Sequence, residues 1–154
     1  MSEEKISSLS SQVIVADAFE YLPQQRFDNV TSIVTSLPDE SELSESVLQK
    51  YNGYESFLRQ STRLILKSLS PYSYAIFMQT DRKKNGHWID KASIITHEAH
   101  KQQWHTIFHK IILTTGLDKI NLYRPTYTHM LCFSVKGKCG KASPNVFVGG
   151  KSLF

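Results

Sequence analysis

Between Tyr54 and Leu69 the apolar residues Tyr54, Phe57, Leu58, Leu64, Ile65 and Leu69 recur at intervals of three and four. That spacing collects them on one face of a helix, with Arg59, Arg63 and Lys67 opposite, and Pro71 ends it. The runs on either side, NVTSIVTS (29–36) and YSYAIFMQT (72–80), read as strands. A strand, a helix and a strand in that succession make a crossover connection, which joins parallel neighbours in one sheet. The chain is thereby held to the α/β class.

The alternation continues in both directions. QVIVAD (12–17) reads as a short strand ending in an acid, and AFEYL as a brief helix stopped by Pro23. Residues 39–52 form an acidic, serine-rich connection with a helical turn in SELSESVLQKY. DRKKNGHW (81–88) is a charged loop carrying the Asn85-Gly86 turn signal. Asp90 caps a second helix running to about Gln103, with Ile94, Ile95 and Ala99 inward. HTIFHKIIL (105–113) and HMLCFSV (129–135) are strands joined without a helix, which predicts an antiparallel pair. The expected sheet is mixed: 12–17, 29–36 and 72–80 parallel, 129–135 opposed to its neighbour. Loops 17–19, 36–40 and 80–84 should then open on one edge, where α/β sheets bind ligands.

A chain of 154 residues, 40% of them hydrophobic, supplies one core. The expected division is a polar tail (1–11), one domain (12–148) and a C-terminal tail (149–154). No apolar run approaches the roughly 20 residues of a membrane span, and MSEEKISSLSSQ is no leader sequence, so an intracellular, cytoplasmic protein without membrane contact is expected. Cys132 and Cys139 are too few for a disulfide framework, and Cys132 reads as a buried thiol. The net charge of +4 tilts weakly toward nucleic acid. Acids crowd the first 60 residues, whereas Arg82, Lys83, Lys84, Lys136, Lys138 and Lys141 lie in later loops, where a basic rim is the expectation.

Several motifs in one order carry a resemblance. VADAFEYL, then FDNVTSIVTSLPD, then MQTDRKKNGHWIDK, FHKII and RPTYTHMLCFS run from about Val13 to Phe147. Together they resemble class I S-adenosylmethionine-dependent methyltransferases of the permuted, DNA- and RNA-amino-methylating kind, and more closely a bacterial branch with a V-T-S-L-P-D loop. The resemblance implies a Rossmann-like, methyltransferase-type mixed sheet with a terminal antiparallel strand. It implies that Ser36, Leu37, Pro38 and Asp39 stand where that family's catalytic S/D/N-P-P-Y loop holds the target amine. Asp17 and Ala18 match the position of the acid that contacts the cofactor's adenine, although Asp17 reads equally as the N-cap of AFEYL. Asp81, Arg82, Lys83, Lys84, Arg124, Tyr127 and His129 fall where the acceptor, RNA or DNA, would lie, with solvated-turn and structural readings as their rivals. Leu37 replaces the first proline and Asp39 the aromatic, so the loop keeps a polar handle and loses its stacking ring.

The glycine-rich cofactor loop of that family has no counterpart here. Gly149-Gly150, the one glycine pair, has neither a strand before it nor a helix after it. The sheet implied by the resemblance is incomplete. The chain is then either half of a methyltransferase, completed by a missing segment or subunit, or an inactive member of the fold serving as a binding or assembly module. Weak or absent S-adenosylmethionine binding by the chain alone is expected. So is a homodimer or a complementing subunit on the Val13–Asp17 side, joined by the apolar residues of the tail, with the acidic 39–46 loop free to meet a basic loop of another chain. No metal site is expected: His97 and His100 read as a solvated helix face, and His105 and His109 on a strand lie about 13 Å apart.

Overall fold

The computed structural model describes residues 12–25, 27, 31–113 and 126–137. Along them the chain forms α1 (Ala18–Tyr21), β1 (Ser32–Thr35), α2 (Glu45–Lys50), α3 (Tyr54–Ser68) and β2 (Tyr74–Gln79). These are followed by β3 (Arg82–Lys84), β4 (His87–Ile89), α4 (Lys91–Lys101), β5 (His105–Leu113) and β6 (Tyr127–Ser134). Four strands make one sheet in the order β1-β2-β6-β5, with β1 and β2 parallel and β6 antiparallel to both β2 and β5. The α3 crossover and the opposed final strand are those read from the sequence. The mixed α/β architecture is therefore the expected one.

One expected strand does not form. Residues 12–16 pair with no strand among the described residues, and Val13 and Val15 are 90% and 98% exposed. A strand persists only where its amides and carbonyls find a partner. Here Asp17 ends the segment instead, its Oδ1 accepting from Phe19 N at 2.8 Å as the N-cap of α1. Among the described residues β1 and β5 are the outer strands of the sheet, and Val34 on β1 is 67% exposed. DRKKNGHW also departs from expectation. It is a hairpin, β3 against β4, turned by Asn85 at φ 50° and Gly86 at φ 80°, the pair of left-handed residues that a two-residue hairpin turn requires.

Cross-strand partners share a face, so the register sorts the side chains. Ile33, Thr35, Ala75, Phe77, Leu131 and Phe133 look to one side, where Leu58, Leu66, Ile95 and Ala99 of α3 and α4 close over them in a single buried core. Val34, Ile76, Met78 and Met130 look to the other. Burying a Leu or Phe side chain contributes on the order of 1.5–3 kcal/mol, so this one-sided core supplies most of the fold's drive. Arg63, expected in solvent opposite the core, reaches across to α4, where its Nε donates to Glu98 Oε1 at 2.9 Å. Glu98, on the face read as solvated, is buried in that pair.

A bulge in β5 changes how its histidines point. The register shifts between Thr106 and Phe108, so His105 stands opposite Ser134 while His109 stands opposite Leu131. Those two partners lie on opposite faces of β6. The expected pair of like-facing histidines four residues apart is therefore replaced by one histidine on each side of the sheet.

Candidate functional site

The loop after β1 is held in place from inside. Leu37 is buried in the core, and Tyr54 Oη donates to Pro38 O at 2.9 Å. Burial, then the Asp39 carboxylate nearby, raises the Tyr54 phenol well above its ordinary value near 10.0, so it stays a donor. Leu37 is thus an anchor, which leaves Ser36 as the exposed polar group of the loop. Ser36, Leu37 and Pro38 line a cavity of about 460 Å³ together with Asp17, Ala18, Phe19, Ile33 and Tyr51. Asp17–Phe19, at the start of α1, and residues 36–38 therefore line one cavity, two of the three segments expected to open together.

Asp39 turns the other way. Lys91 Nζ, on a residue only 2% exposed, donates to Asp39 Oδ1, and Lys91 N donates to Asp81 Oδ1 at 2.9 Å. Asp81 Oδ1 also accepts from Ala92 N at 3.4 Å, so this carboxylate seats the N-terminus of α4. Its second oxygen lies 3.0 Å from His129 Nε2 and accepts from Tyr127 Oη at 3.5 Å. Burial, followed by the Asp81 charge and its hydrogen bond, raises the Tyr127 phenol. His129 Nδ1 stands 2.8 Å from His109 Nε2. A continuous polar line thus runs from the 36–39 loop to the histidines. It borders a second cavity of about 610 Å³, with Asp81, Trp88, Asp90, His97, His100, His109, Tyr127 and His129 among its walls.

Asp81, Tyr127 and His129, named from sequence, do come together. The basic cluster is less available than expected, because Lys84 Nζ donates to Glu40 Oε1 at 2.6 Å and Arg82 lies 3.9 Å from the same carboxylate. Glu42, exposed, accepts from Asp39 N at 2.6 Å in a local capping box. The acidic 39–46 segment, expected to be free for another chain, thus spends Asp39, Glu40 and Glu42 on contacts within its own. Lys83 and Trp88 face solvent on the hairpin. Arg124 and the tail glycines lie outside the described residues, as do Lys138 and Lys141.

Sequence reasoning passed over Lys91, Trp88, Gln79 and His109 as site residues. The first two stand in the quoted GHWIDK segment, so a signal existed. Gln79, 1% exposed at the end of β2 and opposite His129 in register, has no hydrogen-bond partner for its carboxamide among the described residues. His109 is found only by pairing β5 with β6 through a bulge, which no local pattern announces.

No family model matches this sequence, and no curated protein does. Solved structures do match. TTHA0409 from Thermus thermophilus, a candidate DNA modification methylase, superimposes with a TM-score of 0.60 at 18% identity over 86% of this chain and 56% of its own. Its complex with S-adenosyl-L-methionine gives 0.57 at 16% identity, over 84% of this chain and 55% of that one. The cytosine-N4-specific PvuII DNA methyltransferase gives 0.58 at 10% identity, over 79% and 48%. The fold is that of a class I methyltransferase. The chain spans about half the length of the methyltransferase structures it matches. Tested against S-adenosylmethionine, the apolar cavity beside Asp17 suits the adenine end. Among the described residues its walls carry no glycine-rich run of backbone amides for the methionine carboxylate. The fit is to part of the cofactor only.

Proposed function

We propose that this chain is the acceptor-recognising half of an S-adenosylmethionine-dependent nucleic-acid methyltransferase, completed by a further polypeptide segment, in the same chain or another, that carries the glycine-rich cofactor loop. One observation supports this above the others. A methyltransferase-type sheet brings the Ser36–Asp39 loop, Asp81 and His129 to one edge, yet ends at an exposed β1 with an apolar cavity beside it. In this reading Ser36 and the Pro38 backbone hold the target group, and Asp17 with Ala18 borders the adenine. Asp81, Tyr127, His129 and the hairpin residues Arg82, Lys83 and Lys84 border the acceptor. When bound, the cofactor supplies the methyl group, and the residues here position what receives it.

Trp88 supplies the stacking ring that the Leu-Pro-Asp loop lacks. It is 47% exposed on the rim of the polar cavity, and stacking a base on such a ring contributes about 1–3 kcal/mol. The completing segment would add a strand to the outer edge of β1, covering Val34 and the residues 13–15. The test is fluorescence anisotropy with labelled single-stranded DNA and RNA. Saturable binding that weakens about tenfold in Trp88→Ala is expected. Absence of binding to either polymer, or binding indifferent to Trp88, contradicts the assignment.

A further inference from the structure

The protons of the Asp81–His129–His109 line are fixed by its geometry. Asp81 Oδ1 accepts from two backbone amides and Oδ2 from the Tyr127 hydroxyl, so the carboxylate acts throughout as an acceptor. His129 Nε2, 3.0 Å from Oδ2, must then carry the hydrogen. A neutral imidazole protonated at Nε2 accepts at Nδ1, so the 2.8 Å contact with His109 is made by the hydrogen on His109 Nε2. One basic atom is left over, His109 Nδ1, on an exposed ring that lines the polar cavity.

We propose that Asp81, His129 and His109 form a proton-accepting chain whose outer atom, His109 Nδ1, removes a proton from an N–H or O–H group of a planar ligand resting against Trp88. The ligand keeps the electron pair of the broken bond, and its proton joins His109 Nδ1. The Nε2 hydrogen of His109 passes to His129 Nδ1, and the resulting imidazolium faces the Asp81 carboxylate through Nε2–H. Each ring ends with the hydrogens it needs, and the positive charge rests beside the buried negative one. Asp90, His97, His100 and Tyr127 are the other titratable groups on the cavity walls. His100 is engaged with Thr106 Oγ1 at 2.8 Å, outside the His109–His129–Asp81 line. No three His, Cys, Asp or Glu side chains among the described residues are grouped to hold a metal ion. That the ligand is a methyl acceptor rests on the function proposed above. The proton chain itself does not.

Asp81→Asn gives a directional test, because the amide keeps an oxygen for the helix amides and places an NH₂ where Oδ2 stood. That group donates to His129 Nε2, which drives the hydrogen to Nδ1 and reverses both rings. Long-range ¹⁵N–¹H correlation spectra of the wild-type chain should show His129 and His109 each protonated at Nε2, and both inverted in Asp81→Asn. Acylation by diethyl pyrocarbonate, which needs an unprotonated ring nitrogen, should be at least tenfold slower at His109 in that variant, with His87 and His97 as internal references. If Asp81→Asn does not fold, His109→Ala serves in its place, and His129 should keep its Nε2 hydrogen because Asp81 sets it. Wild-type His129 protonated at Nδ1, unchanged tautomers or acylation in Asp81→Asn, or loss of the Nε2 hydrogen in His109→Ala overturns the chain. Neither readout needs cofactor or nucleic acid, so failure here is distinct from failure of the methyltransferase reading.

Discussion

The buried carboxamide of Gln79 separates stability from function at a single residue. A buried polar side chain without a partner costs about 1–3 kcal/mol, and an apolar residue of similar length removes the cost. Gln79→Met is expected to raise the urea midpoint by an amount worth about 1 kcal/mol while weakening oligonucleotide binding, since Gln79 stands beside His129. A variant that is less stable, or that binds unchanged, would show Gln79 to be structural. Tyr54 carries the second prediction. Its folded-state pKa lies above the ordinary 10.0, so the fold retains its proton after the unfolded chain has lost it. The stability this contributes is complete below pH 10 and falls as pH rises above that value. Denaturation of wild type and Tyr54→Phe across pH 8–11.5 should therefore give curves that are parallel up to pH 10, with the wild type falling more steeply above it.

At the scale of elements, the hairpin bearing Trp88 depends on Gly86. An alanine at φ 80° meets the steric cost of the left-handed region, about 1 kcal/mol, though nothing lies near its Cβ. Gly86→Ala should leave the Trp104 indole resonance in place while broadening or shifting that of Trp88, and should weaken anisotropy-detected binding. Unchanged Trp88 and binding would detach the hairpin from the site. The helices and the paired strands were legible in the sequence because their signals are local. The α3 face repeats at helical spacing, Asp90 caps α4, and β5 spans 105–113 as read. QVIVAD misled because a β-branched run states a preference for pairing and cannot state that a partner strand is present. The hairpin hid behind charges, since two exposed three-residue strands bury nothing that would show as alternation. The site was half legible for the same reason. Asp81, Tyr127 and His129 sit in compact motifs, whereas His109 joins them through a bulge and Lys91 through a salt bridge across 52 positions.

At the scale of the molecule, the proposed function assigns acceptor groups to a sheet that, among the described residues, shows no glycine-rich run of amides for a methionine carboxylate. One charge-assisted hydrogen bond from Asp17 contributes on the order of 1.5–3 kcal/mol, against the roughly 8 kcal/mol of a micromolar ligand. Acceptor binding and cofactor binding should therefore come apart in this chain. The two tryptophans make that visible, one buried at Trp104 and one on the cavity rim at Trp88. The decisive measurement is a two-dimensional ¹H–¹⁵N titration of the 154-residue chain, first with S-adenosylmethionine at about 100 μM and then with a short single-stranded oligonucleotide. The account predicts a spectrum unmoved by the cofactor and a saturable shift of the Trp88 indole on adding the oligonucleotide, with Trp104 unaffected. Micromolar saturation by S-adenosylmethionine, or an oligonucleotide that leaves Trp88 where it was, would contradict it.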